Sequence, residues 1–206
     1  MLIEKLKGIA NYYGFEEDEE INNALHFFLE AIDKIDWKIE GYDYLKSFNH
    51  LIFEGSQGIL LDMDHGVFPN VTYANTTSKN AYEVCKLLEI ENIEMFYVTR
   101  SYSTRHGSGW MSNEKSLPLK NNEEETCTFN EFQKDLRFGE LDDELLNYAL
   151  KVDEAYVVAQ KKNLVVTCLD QWDETFKTEN LKVKFDAVLG SYSPFSKDFQ
   201  RIDKTL

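Results

Sequence analysis

Residues 51–77 read L-I-F-E-G-S-Q-G-I-L-L-D-M-D-H-G-V-F-P-N-V-T-Y-A-N-T-T, and this stretch decides how the chain is read. Leu51, Ile52 and Phe53 form a short apolar run broken by Gly55 and Gly58. That pattern predicts a buried strand ending in a loop where backbone comes close to something. Gly66 and Pro69 punctuate the residues after it, which puts Asp62, Asp64 and His65 on a turn. Thr72, Asn75, Thr76 and Thr77 then set four short hydrogen-bonding side chains within six positions. Turn capping is the simple explanation of Asn75-Thr76-Thr77, and backbone satisfaction of a buried amide that of Gln57. Neither explains the segment as a whole. Asp62, Asp64 and His65 have a metal-like composition, but close-spaced carboxylates on a turn are usually structural, and no metal site is assigned. Ser56 lies in E-G-S-Q-G, which misses the G-x-S-x-G nucleophile elbow, and no triad partners accompany it.

A second segment, Ser101-Tyr102-Ser103-Thr104-Arg105-His106-Gly107-Ser108-Gly109, mixes hydroxyls, a cation and glycines that permit close backbone approach. Together the two segments resemble the adenylosuccinate synthetase family. Its members carry F-E-G-A-Q-G-x-L-L-D-x-D-x-G-x-x-P-x-V-T-x-x-N-T-T and, further on, A-Y-x-T-R-x-G-x-G. Two long ungapped motifs in the right order and spacing are far more specific than a lone Gly-rich loop.

The resemblance implies a reduced α/β synthetase fold and a nucleotide site. Gln57 matches the glutamine that holds the purine, where an amide offers a donor and an acceptor to a lactam. Leu61 matches an apolar wall of that site and Thr72 a phosphate contact, while His106 replaces a valine beside the ribose. Gly58, Asn75, Thr76 and Arg105 complete the motif residues expected to bind nucleotide. Arg137 survives from the family's aspartate-binding T-T-G-R-R-R run, with Lys134 as a substitute cation. Asp170 matches the carboxylate that accepts from guanine, and Ser191 and Ser193 fall loosely where a guanine-pocket S-x-G-P would stand.

The departures from the family pattern are as informative. The family's G-D-E-G-K-G-K phosphate loop, with its catalytic aspartate and the histidine after it, has no counterpart in these 206 residues. The lysine of K-L-D is replaced by Cys168, and N-T-T-A-G-G has become Asn75-Thr76-Thr77-Ser78-Lys79-Asn80. The nucleotide-holding motif is therefore nearly intact, while the parts for phosphoryl transfer and aspartate capture are missing. Phosphoryl transfer is mostly positioning and charge stabilisation by such a loop with Mg²⁺. No catalytic residue is assigned, and Mg²⁺ is expected only with a bound triphosphate. Three readings stay open: a purine-nucleotide-binding protein that cannot complete the ligase reaction alone, one half of a split ligase completed by a partner chain, or a non-catalytic interaction protein that keeps the fold. The family pairs into dimers, so the resemblance implies a homodimer or a complementary chain.

Working outward, Ile21, Ala24, Leu25, Phe28, Leu29, Ile32 and Ile35 fall at helical spacing behind the acidic run Glu16 to Glu20. His26 takes the polar face, as a solvated histidine does. Leu2, Leu6 and Ile9 predict a shorter helix before it, so 1–48 reads as a helical lead-in to a single domain. Further helices are expected over Ala81–Leu88 and around Leu145–Leu150, with strands at Glu94–Thr99, Leu164–Thr167 and Val183–Leu189. Residues 111–130 read as a long surface loop. The alternation argues for a mostly parallel central sheet flanked by helices.

Composition bounds the rest. A formal charge of −15 repels phosphate backbones, so nucleic acid is not an expected partner. Three scattered cysteines, Cys85, Cys127 and Cys168, give neither a disulfide framework nor a zinc pattern and fit a reducing, cytoplasmic setting. No apolar run approaches a membrane span, and no leader sequence is read at the N-terminus.

Overall fold

The computed structural model describes residues 2–15, 18–36, 38–120, 129, 131–172 and 176–202. Contacts divide the chain into two compact units, Met1–Tyr44 and Leu45–Leu206. In the first, α1 spans Leu2–Tyr12 and α2 spans Glu19–Lys34. Asp18 caps α2 by accepting the Ile21 N–H at 3.0 Å, and Glu19 and Glu20 occupy its first turn, where negative charge favours a helix start. Glu16 and Glu17, the front of the acidic run, lie outside the described residues. His26 is exposed and faces Glu30 at 3.4 Å. Leu25, Leu29 and Ile32 of the apolar face are half-buried, and none of α2 is fully buried.

The second unit is built on a four-stranded sheet in the order β1-β4-β5-β6, in which β1 (Glu94–Arg100), β4 (Lys161–Thr167) and β5 (Ala187–Ser191) run parallel. β6 (Phe199–Arg201) joins antiparallel. Helix α3 (Lys79–Leu87) precedes β1, and α4 (Asp143–Glu154) lies in the crossover from β1 to β4. The sequence explains this order. Residues 163–166 (N-L-V-V) are all buried, as a central parallel strand covered on both faces requires. Leu164 and Val166 are wholly inaccessible and pack with Tyr97, Leu150, Phe176, Val188 and Ile202 as the core. Asp142 caps α4, accepting from the N–H groups of Glu144 and Leu145 at 3.0 Å each.

The mixed α/β class and mostly parallel sheet agree with the sequence reading, as do the four helices. Other expectations need correcting. Leu51–Phe53 is irregular rather than a buried strand, and Ile52 is 95% exposed. A strand exists only by pairing, and among the described residues no neighbouring strand takes it up. The strand expected at Val183–Leu189 begins instead at Ala187 and runs through Gly190 to Ser191, because its pairing with β4 starts at Asn163–Ala187. A second, two-stranded antiparallel sheet, β2 (Ser103–His106) with β3 (Leu136–Gly139), has no counterpart among the sequence expectations. Of the loop expected over 111–130, residues 111–120 are irregular apart from a bridge from Glu114 to Gly139; 121–128 and 130, Cys127 included, lie outside the described residues. Among the described residues no helix is long and apolar enough to cross a membrane.

Candidate functional site

Two buried carboxylates organise the first motif. Asp62, fully buried, accepts the N–H of Asp64 at 2.9 Å and of Thr76 at 2.6 Å. Thr76 Oγ1 donates to the Gly58 carbonyl at 2.9 Å, and Asn75 Nδ2 donates to Asp64 Oδ2 at 2.7 Å. Backbone bonds from Thr72 N to Leu61 O (2.8 Å) and from Met63 N to Ala74 O (3.1 Å) lay the two arms side by side. The motif thus folds on itself and brings Gly58, Leu61, Thr72, Asn75 and Thr76 together, with Gln57 exposed at its rim. A Cβ added at Gly55 or Gly58 would meet nothing within 4 Å among the described residues, so the close approach expected there is to none of them.

The second carboxylate, Asp153 on α4, is 1% exposed. It accepts from Ser78 N at 2.6 Å, Ser78 Oγ at 2.9 Å and Tyr97 OH at 3.0 Å. It thereby ties the start of α3 to β1 and places a negative group where a helix N-terminus favours one. Between these anchors, Thr77 Oγ1 is buried with no hydrogen-bond partner among the described residues. His65 is held by Tyr156 OH at Nε2 (2.6 Å) and by Tyr148 OH at its carbonyl (2.9 Å), which ties it into the frame of the motif.

Burial works to raise the Asp62 carboxyl, but the N–H groups of Asp64, Thr76 and Thr77, and then His65, outweigh it and hold it below the ordinary aspartate range. A depressed folded-state pKa means the unfolded chain binds the proton more readily. The stabilisation is therefore complete above the ordinary value near 3.8 and is lost as pH falls through the lower folded value. Acid is expected to loosen this motif, and the protection of the Asp64 and Thr76 amides relative to their intrinsic exchange should fall only below about pH 4, and less in Asp62→Asn. Protection that is flat through that range would count against the assignment.

The second motif forms a hairpin-edge turn. Arg105 and Arg137 sit opposite each other on β2 and β3. Arg105 donates from Nε to the Ser108 carbonyl (2.9 Å) and from Nη2 to the Asn70 carbonyl (3.0 Å). Arg137 donates to the carbonyls of Gly107 (3.2 Å) and Gly109 (2.6 Å) and pairs with Glu114 at 2.6 Å. Burial, and then the charge of Arg137, lower the Arg105 guanidinium from its ordinary value. Both cations are thus held by backbone carbonyls, and through Asn70 Arg105 joins the second motif to the first. His106 donates to the Lys134 carbonyl at 3.1 Å, and Lys134, exposed, sits at φ 66°.

The third group lies at the carboxyl ends of the parallel strands, where open α/β sheets place ligands. Ser101 at the end of β1 donates from N to Thr167 O (2.9 Å) and from Oγ to Cys168 O (3.0 Å). Asp170 accepts from Gln171 Nε2 at 2.9 Å, so its carboxylate already has one local donor. Ser191 Oγ donates to the Ser193 carbonyl (2.9 Å), and Ser193 Oγ to Asp198 at 2.6 Å. An open cavity of about 420 Å³ adjoins them, lined by Tyr192, Lys197, Asp198 and Gln200. The predicted residues therefore fall into two sets. The motif residues 57–76 and Arg105 with Arg137 are joined through Asn70, while Asp170, Ser191 and Ser193 lie separately beyond the carboxyl ends of β4 and β5. Sequence reading missed Asp153, Tyr97 and Asn70. A signal existed for Asp153, which continues the apolar face of α4 at three residues from Leu150 and seven from Leu146.

Among known proteins, a model of the adenylosuccinate synthetase family matches residues 2–197. The adenylosuccinate synthetase of Marinobacter nauticus is 30% identical over 197 residues, covering 87% of this chain and 43% of that protein. That of Wolbachia pipientis is 29% identical over 196 residues, covering 90% and 41%. The chain thus spans about two fifths of the length of the curated relatives it matches. Among solved structures, fully ligated adenylosuccinate synthetase from Plasmodium falciparum aligns with a TM-score of 0.49 at 23% identity, over 82% of this chain and 39% of that one. A cyanophage S-2L succinoaminodeoxyadenylate synthetase bound to dGMP and dATP aligns with a TM-score of 0.48 at 13% identity, over 71% and 45%.

Proposed function

The chain belongs to the adenylosuccinate synthetase family, and from that premise we propose that it binds a purine nucleotide through its first motif without completing the ligase reaction alone. The observation that carries this reading is the rigid, open loop of residues 57–77. Its backbone is fixed by two buried carboxylates, Gly55 and Gly58 face free space, and Thr77 keeps a buried hydroxyl with no partner among the described residues. Groups held this firmly lose little entropy when a ligand arrives. In this reading Gln57 meets the purine edge, Leu61 walls it, and Thr72 faces the phosphate, while Asn75 and Thr76 hold the loop through Asp64, Asp62 and Gly58. Arg105 and Arg137, some of whose donors serve backbone carbonyls, shape the turn and add positive charge beside it.

A second reading, one half of a split ligase, rests on one observation: these 206 residues hold no lysine-bearing phosphate loop. A partner chain would then supply that loop, with Mg²⁺ on the donor triphosphate.

Calorimetric titration with inosine, guanosine and adenosine monophosphates and their deoxy forms tests the first reading. One of them is expected to bind. Gln57→Ala should weaken that binding about tenfold or more, roughly 1.4 kcal/mol, at unchanged melting temperature because Gln57 is exposed. No heat with any purine nucleotide, or an indifferent Gln57→Ala, would sink it. The chain alone should release no phosphate from nucleoside triphosphates in the presence of a purine monophosphate and aspartate.

A further inference from the structure

We infer that Glu114 sets what the proposed nucleotide site accepts: its carboxylate holds the anion position at Arg137, from which a doubly charged phosphate ester can displace it and a singly charged free carboxylate cannot. The inference rests on the nucleotide reading above and names a selectivity within it.

Arg105 and Arg137 are directly opposed on β2 and β3, so their side chains leave the two-stranded sheet on the same face. The charge of Arg137 is felt at Arg105. Backbone carbonyls fix both guanidinium groups. Arg137 commits Nε to Gly107 and Nη2 to Gly109, and Arg105 commits Nε to Ser108 and Nη2 to Asn70. What remains on Arg137 is Nη1, and it donates to Glu114 at 2.6 Å. Among the described residues nothing accepts from Arg105 Nη1, and no carboxylate pairs with Arg105. Two fixed positive charges therefore share a single negative one, and neutral carbonyls do not cancel the remainder. The pair lies close to the hydroxyl assigned to the phosphate, because Arg105 is tied to Asn70, two positions before Thr72.

Glu114 can leave Arg137 by moving its side chain alone. Its backbone is pinned to β3 by the bridge to Gly139. On either side of it, Lys115 N–H donates to Phe138 O at 3.0 Å and Glu140 N–H to Asn113 O at 3.3 Å. Its side chain is 43% exposed, against 25% for Arg137, so it can rotate into water without disturbing the strand. In place, it is a tethered competitor with an effective concentration of about millimolar or more. A free carboxylate brings the same charge and the same geometry, and gains nothing by the exchange. A phosphate ester brings about two negative charges and several acceptor oxygens, enough to serve Arg105 and Arg137 together.

The test is calorimetry on the full chain, Glu114→Gln and Glu140→Gln, with inosine, guanosine and adenosine monophosphates and the matching nucleosides. Glu140 pairs with Lys115, so its variant makes the same change in net charge without touching Arg137. Glu114→Gln should bind the best of the monophosphates about fivefold tighter than the parent, the worth of one partly exposed ion pair. Nucleoside heats should be unchanged, and Glu140→Gln should match the parent throughout. Acetate at millimolar concentration should weaken monophosphate binding in Glu114→Gln and leave the parent unaffected. Glu114→Ala should repeat both results, which keeps the test valid if the new amide finds a different partner. A purely structural Glu114 predicts the opposite sign, since loosening Arg137 would weaken the site. The inference is overturned if neither Glu114 variant gains affinity, if Glu140→Gln gains as much, or if acetate acts alike on all chains. Failure of the nucleotide reading looks different: no monophosphate then gives heat with parent or variant, and the inference falls with it.

Discussion

Asp153→Ala is expected to lower the stability of the Leu45–Leu206 unit by about 3–5 kcal/mol, because three donors lose one buried acceptor together. Ser78 N, Ser78 Oγ and Tyr97 OH all end on this carboxylate, which is 1% exposed, so water cannot replace it without opening the core. Each buried donor left unmet costs about 1–3 kcal/mol. Removing the carboxylate also leaves a void in a buried position. For a unit of this size the loss should lower the melting temperature by roughly 10 °C or more. Tyr97 supplies a second readout. Burial, and then the charge and hydrogen bond of Asp153, push its hydroxyl far above the ordinary phenol range. Asp153→Ala should therefore bring Tyr97 ionisation down toward ordinary alkaline pH in an absorbance titration. Asp153→Asn retains an acceptor and should fall between. If Asp153→Ala melts within a degree of the parent, the carboxylate is not the tie between α3 and β1 that its contacts describe.

How legible each element is in the sequence varies with how local the deciding interaction is. Helices are legible because apolar spacing and end signals lie within a few residues, and in the structure Asp18 caps α2 and Asp142 caps α4. The central strand β4 is legible because a parallel strand buried on both faces leaves a continuous apolar signature. The failures are all cases where the partner is remote. Leu51–Phe53 has strand composition, yet composition does not provide a neighbour, and the segment stays irregular. β2 and β3 are four residues each, too short for their pairing to show as periodicity; Arg105 and Arg137, opposite each other across it, serve the 107–109 turn. The site is legible as motifs, since residues 58–76 do assemble. The supports that hold it are not, because Asp153 is 75 residues from Ser78. The same remoteness hides the carbonyl partners of the two arginines from a reading of the sequence.

Gly109→Ala is expected to undo that turn, with a stability loss of about 2–5 kcal/mol and a larger effect on the joining of the two motifs than on the core. Gly109 sits at φ +107°, where an L side chain is strained, and an added Cβ would lie 2.6 Å from Arg105 Nη2 and 2.7 Å from Asn70 Cβ and Cγ. Backbone strain of this kind costs about 1–3 kcal/mol, and crowding adds a comparable amount. Relief by moving the guanidinium would sacrifice the Arg105–Asn70 bond, and relief by moving Asn70 would pull on the first motif through the same contact. Either way the junction opens while the sheet core, centred on Leu164 and Val166, is untouched. Gly55→Ala is the natural control, since its Cβ would meet nothing within 4 Å and its melting temperature should match the parent. Hydrogen exchange separates the two effects: in Gly109→Ala the amides of residues 105–109 and 70–72 should exchange faster together, with β4 amides unchanged. Faster exchange in the turn alone would mean that the motifs are neighbours without being coupled, and nucleotide affinity should then survive the substitution. Coupled motifs predict the opposite, because a nucleotide seated on residues 57–76 would lose the wall that Arg105 and Asn70 keep in place.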